Sequence, residues 1–128
     1  MAQKKNDPIL TQEKINTLEK IKEFGIENIG TYFTIEELAE AFSKETGIYT
    51  NVTFIKTYSK PHFHKQMHEV INDKRMEIGA EEVLKGEKKL FAIAQGLGLK
   101  LHTFLAMFKK KYQKTPTKFR RYMMNTTK

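Results

Sequence analysis

One stretch near the end of this chain gathers residues able to do chemistry, and within it every charged side chain has the same sign. From Lys88 to Lys128 there are 9 Lys and 2 Arg and no Asp or Glu. Lys109, Lys110, Lys111, Lys118, Arg120 and Arg121 make up the dense part of that run. A folded segment that repels itself this strongly is stabilised most by a polyanion. Phosphate suits ammonium and guanidinium groups because each contact is a charge-assisted hydrogen bond. A basic face kept for solubility is the alternative. The complete lack of acids across the stretch argues for the polyanion.

Other chemistries find less support. The chain has no Cys, so disulfides, thiolate zinc sites and cysteine nucleophiles are excluded. His62, His64 and His68 are close in sequence, and His64 and His68 are spaced so that one helix face could offer both to a metal. Only Glu69 stands nearby as a further ligand and no HExxH occurs, so a solvated or phosphate-facing surface is the preferred reading. The acid pairs Glu36-Glu37 and Glu81-Glu82 are accounted for by capping and by pairing along helices. There is no P-loop, dinucleotide fingerprint or nucleophile elbow. The expectation is a binding protein with no catalytic residues, cofactor or metal.

The whole chain, 128 residues with 39% hydrophobic and 30% charged, has the composition of a folded domain. Residues 1–60 are close to neutral, with 8 Lys against 9 acids, whereas residues 61–128 hold 12 Lys and 3 Arg against 6 acids. No apolar run is long enough for a signal-peptide core or a membrane span. With the lack of Cys, this fits a cytoplasmic protein that meets no membrane.

The elements that must position the cations read as helices throughout. After a flexible tail (residues 1–10), Thr11 caps a helix to about Phe24 with Ile15, Leu18 and Ile21 on one face, and Gly25 is expected to end it. Ile26, Ile29, Tyr32 and Phe33 then pack inward from a connection. Thr34-Ile35-Glu36-Glu37 forms a capping box ahead of a helix with Ile35, Leu38, Ala39 and Phe42 on one face, closing at Thr46-Gly47. Residues 48–60 contain β-branched and aromatic residues that favour a strand. Ile48, Val52 and Ile55 equally suit a helix, which is preferred because no partner strand is evident. Pro61 suits the first turn of a helix reaching Lys85, ended by Gly86. Lys89–Gln95 and His102–Tyr112 form two helices about Gly96-Leu97-Gly98, and Thr115 caps a last helix with Pro116 in its first turn.

The stretch Leu90–Arg121 resembles the C-terminal helix-turn-helix of AraC-type transcriptional regulators. The matching residues are Ile93-Ala94 in the first helix, Leu97-Gly98 at the turn, Phe104 and Phe108 in the second helix, Lys109-Lys110 after them, then Thr115-Pro116 and Phe119-Arg120-Arg121. The resemblance extends upstream: Thr34–Phe42 is similar to the start of a first such subdomain, and Met67–Lys85 to the helix joining the two, with Arg75 near the family's arginine. It implies an all-α fold of two helix-turn-helix subdomains (residues 31–60 and 87–124) on a linker helix, 61–86, preceded by a helix and connection over 11–30.

It further implies duplex DNA as partner. Lys109, Lys110, Lys111, Lys118, Arg120 and Arg121 would contact phosphate. Lys100, His102 and Thr103 would approach the groove from the second subdomain, with Ala106 and Met107 beside them. Asn51, Thr53 and Lys56, followed by Thr57 and Lys60, would do so from the first. The sequence departs from the family in a slightly shorter turn before Phe104 and in lacking the usual arginine near Ala106. The function expected is transcription regulation in a bacterium. An architectural or recombination accessory factor, and a helical adaptor for RNA or an acidic protein, are the alternatives. The N-terminal helix is a candidate surface for a protein partner.

Overall fold

The computed structural model describes residues 9–126. Of the tail expected over 1–10, only Ile9 and Leu10 fall among the described residues. These residues form seven helices and no strand: α1 (Gln12–Glu27), α2 (Ile35–Thr46), α3 (Val52–Phe63), α4 (Met67–Lys85), α5 (Leu90–Gly96), α6 (Leu101–Tyr112) and α7 (Pro116–Thr126). They fall into two compact units. The first holds the chain up to Glu27 and Phe33–Ile71; the second holds Asn28–Tyr32 and the chain from Asn72 onward.

In the first unit α1, α2 and α3 pack on one another. Leu18, Ile21, Phe24, Leu38, Phe42, Ile55 and Met67 are buried there. The Phe24 ring meets that of Phe42 edge-on at 5.8 Å. The apolar face of α1 is thus occupied inside its own unit, and a partner of this helix would meet only its polar side. The expected end at Gly25 is wrong, because α1 runs on to Glu27. Glycine there admits a close neighbour: a Cβ on Gly25 would stand 2.5 Å from Ile71 Cδ1 in the first turns of α4, and that side chain would have to shift.

The capping box of α2 is formed as the sequence indicates. Thr34 Oγ1 accepts from the Glu37 amide at 3.1 Å, and Glu37 Oε1 accepts from the Thr34 amide at 2.8 Å. Gly47 closes the helix at φ +75°. Residues 48–60 resolve in favour of the helix, since Asn51 caps α3 through Oδ1, which accepts from the Phe54 amide at 2.8 Å. Ile48 falls ahead of that cap.

Pro61 does not start the following helix. It lies in the last turns of α3, where the carbonyl left without its amide partner belongs to Thr57 on the exposed side. His64, at φ +65°, then ends α3, donating its amide to the Lys60 carbonyl at 2.8 Å. The helix expected over 61–86 therefore begins at Met67. Glu69 Oε1 accepts from the Gln66 amide at 3.1 Å, a side-chain bond that marks this start. The i, i+4 premise for His64 and His68 fails with it. His64 closes one helix and His68 belongs to the next, and His62 is engaged by Glu19 at 2.8 Å.

The second unit is built around Met76, Ala80 and Val83 of α4, Ile93 and Ala94 of α5, Leu97 and Leu99 of the turn, and Phe104 and Phe108 of α6. Burying a Phe side chain is worth about 1.5–3 kcal/mol. A like-charge pair at about 4 Å in water costs only about 1 kcal/mol before salt screens it. A core of this size therefore holds the unit together despite its excess of cations. The segment Asn28–Tyr32 belongs here because Arg75 binds it, as described next. Contrary to expectation, Tyr32 is not turned inward: it is 46% exposed, and its ring lies 4.8 Å from the Arg75 guanidinium carbon.

Candidate nucleic-acid interface

The helix-turn-helix of the second unit is α5 and α6, whose axes turn by 90° at the break between them. Gly98 makes that break possible in two ways. Its φ is +74°, and a Cβ there would stand 2.6 Å from the Gly30 carbonyl oxygen. Ala94 is 1% exposed in the core, and the turn folds back on its backbone, the Leu99 amide donating to the Ala94 carbonyl at 2.9 Å.

Arg75 fixes the turn from behind. This side chain is 3% exposed, and burial pulls its pKa below the ordinary arginine value. Nε donates to the Leu97 carbonyl at 2.9 Å, and one terminal nitrogen donates to the carbonyls of Ile29 and Thr31, each at 3.1 Å. The other terminal nitrogen donates to Asn72 Oδ1. A planar fork with several donors can serve carbonyls from two directions at once; a lysine could not.

Phe104 and Phe108, both 0% exposed, anchor α6 by one face. Phe108 also meets Phe119 of α7 edge-on at 5.2 Å. The opposite face presents His102, Ala106, Lys109 and Lys110, all exposed at helical spacing. Lys100, at the N-cap, is exposed too, while Thr103 is half-buried. Met107 is half-buried against the core, which leaves it little part in contacting a groove. Lys109 and Lys110 lie in the last turn, where the helix dipole favours cations.

The six expected phosphate contacts do not share one face. Lys109, Lys110, Lys111 and Lys118 are all exposed. Lys111 is turned toward α4, its Nζ lying 3.7 Å from Asp73 Oδ1. The Arg120 guanidinium is packed against Gly86, its Cζ 2.8 Å from where an added Cβ would stand, and it lines a groove on that side of α7, away from the exposed face of α6. Arg121, Thr117 and Arg120 lie on one side of α7, lining a groove that Lys118 does not enter. Charge pattern alone could not separate these positions. The signal that could have done so for Arg120 is its place one residue after the core-packing Phe119.

In the first unit α3 carries Thr53, Lys56, Thr57 and Lys60 along one exposed face, opposite buried Ile55 and Ser59. Asn51 does not share this freedom. Its oxygen caps α3, and its Nδ2 donates to the Tyr49 hydroxyl at 3.1 Å. A two-point contact to an adenine edge would require both of its polar ends. Tyr49, 77% exposed, is the residue that sequence reasoning passed over. It stands on the turn that Ser43 staples to α2, where Ser43 Oγ accepts from the Thr50 amide at 3.0 Å.

Among the described residues no group of three or more His, Cys, Asp or Glu could hold a metal ion. No single helix among them is long and apolar enough to cross a membrane.

No protein-family profile and no curated protein matches the chain. Solved structures do. The C-terminal domain of the two-component response regulator yesN from Fusobacterium nucleatum is 26% identical, with a TM-score of 0.68 over 82% of this chain and 98% of that one. The C-terminal domain of AraT, a response regulator from Geobacillus stearothermophilus, is 20% identical, with a TM-score of 0.68 over 82% of this chain and 84% of that one. A probable AraC family transcriptional regulator from Rhodopseudomonas palustris is 16% identical, with a TM-score of 0.66 over 84% and 96%. The likeness to the last two is one of fold.

Proposed function

We propose that this chain, which has the AraC-type helix-turn-helix fold, binds duplex DNA and regulates transcription in the cytoplasm of a bacterium. The observation that carries the reading is the exposed face of α6. Across from Phe104 and Phe108 it sets Lys100, His102, Lys109 and Lys110 on a helix that leaves α5 at 90°. A second reading helix in such a unit enters a major groove by the face opposite its anchor. In the proposal Lys109, Lys110 and Lys118 hold phosphates, and Lys100, His102 and Thr103 approach base edges. The polar face of α3, from Thr53 through Lys56 and Thr57 to Lys60, makes the corresponding approach from the first unit, with Tyr49 beside it. Arg120 is left out of the phosphate set because it packs on Gly86.

Fluorescence anisotropy with a labelled random duplex at several salt concentrations tests this. Each neutralised phosphate lowers log K by about 0.9 per decade of salt. A slope of roughly −3 or steeper supports at least three phosphate contacts. A flat slope, or equal affinity for an acidic protein, would end the proposal.

A further inference from the structure

In the second unit the end of α4, the start of α5 and one side of α7 border an open groove of about 630 Å³. Its lining is divided in character. Leu90 and the 50% exposed Met124 supply apolar surface over a floor of buried Val83 and Pro116, and Arg120 and Arg121 supply charge. Lys88 also lines it, but is matched by Glu82 Oε1 at 3.3 Å. Among the described residues no carboxylate pairs with either arginine. Arg120 Nε is buried and has no hydrogen-bond partner. The room its guanidinium occupies exists because residue 86 is glycine at φ +69°. Thr117, in the first turn of the 11-residue α7, lines the same groove. The amides of a first turn have no intrahelical acceptor and favour negative charge.

These features have one chemistry in common. We infer that the groove binds a small amphipathic organic anion, its carboxylate or phosphate monoester head at Arg120, Arg121 and the start of α7, its apolar body on Leu90 and Met124. The volume is that of a small-molecule site. Guanidinium groups with no acid partner call for an anionic head. The apolar lining argues against a bare DNA phosphate as occupant, since a phosphate gains nothing from contact with Leu90 or Met124. The inference does not depend on DNA binding.

The experiment is a ¹⁵N NMR titration of the full chain with hexanoate, phenyl phosphate and acetate in turn. The arginines of the chain are Arg75, Arg120 and Arg121, so their Nε–H signals can be assigned singly. Hexanoate or phenyl phosphate should shift the Arg120 Nε–H and Thr117 amide signals saturably while Arg75 stays in place. Which of the two binds tighter identifies the head group. Hexanoate should bind at least about tenfold tighter than acetate, at about fourfold per buried methylene. R121Q and M124E, both at exposed positions, should keep the native spectrum and weaken hexanoate about tenfold. R120Q should abolish binding.

The inference is overturned by any one of three results. The first is no saturable shift with either organic anion, or acetate binding as tightly as hexanoate. The second is R121Q and M124E both binding like the parent. The third is a random duplex displacing hexanoate, which would assign the groove to the DNA-contacting surface. Failure of the chain to bind DNA would leave the hexanoate result standing.

Discussion

The Nε–H of Arg75 donates to the carbonyl oxygen of Leu97 at 2.9 Å, so a residue in the middle of α4 holds the turn between α5 and α6. The same guanidinium reaches the carbonyls of Ile29 and Thr31, tying in a segment that precedes α2. Arg75 therefore positions α6 through the turn that precedes it, while itself buried away from that helix's exposed face.

Replacing Arg75 by Ala should cost about 1–3 kcal/mol for the buried Leu97 carbonyl left unsatisfied, and less for the part-buried carbonyls of Ile29 and Thr31. Arg75→Lys should recover little, because one ammonium cannot serve carbonyls on both sides. Urea denaturation provides the check: the midpoint falls for both variants, with m unchanged if only stability is altered.

Gly98→Ala should destabilise by more than the roughly 1 kcal/mol that a left-handed non-glycine residue costs. The added methyl would also stand 2.6 Å from the Gly30 carbonyl oxygen, and a backbone atom cannot swing away as a side-chain tip can. DNA affinity should fall along with the thermal midpoint. Gly47→Ala is the control: it carries the same left-handed cost, at φ +75°, but meets nothing within 4 Å.

Lys109→Ala and Lys110→Ala should each reduce the salt slope of duplex binding by about 1 and weaken all sequences alike. Lys111→Ala should leave the slope unchanged, since that ammonium faces Asp73. Anisotropy titrations of the three variants at the same salts distinguish them. An equal loss for Lys111 would show that its pairing breaks on binding.

Hydrogen bonds from Lys22 and then from His62 hold the Glu19 carboxyl below its ordinary value of 4.5. The unfolded chain binds this proton more readily than the native one. The contribution to stability is therefore full above pH 4.5 and is lost as the pH falls through the lowered native value. The effect is small, because the Glu19 side chain is 37% exposed and solvent screens the pair. Glu19→Gln should leave the chain less stable at neutral pH and flatten its acid-side stability profile. Urea midpoints measured across that range provide the test.

Asn51→Ala should destabilise the first unit by about 1 kcal/mol through loss of the α3 cap, whereas Asn51→Asp should retain the cap. Circular dichroism during urea unfolding follows both.

Much of this architecture was legible residue by residue. The capping box at Thr34, the left-handed glycines at 47, 86 and 98, and the anchors Phe104 and Phe108 are local signals, and each has one main physical meaning. Gly25 and Pro61 misled because the same residue type has two uses. Glycine ends a helix or admits a neighbour, and only the presence of Ile71 chose the second. Proline opens a helix or sits where a lost hydrogen bond can be met by water, and the cap at Asn51 and the helix start marked at Gln66 chose the second.

Composition and periodicity alone determined that the chain outside residues 48–60 is helical and that its second half is cationic. These follow from interactions within a few turns of chain, where spacing is set by helix geometry. Which cations stay free was decided only by the tertiary structure. Lys111 meets Asp73, Arg120 meets Gly86 and Arg75 meets Leu97 across long stretches of sequence. A charge run specifies how many positive groups there are, but which of them face solvent depends on what the fold packs beside each one.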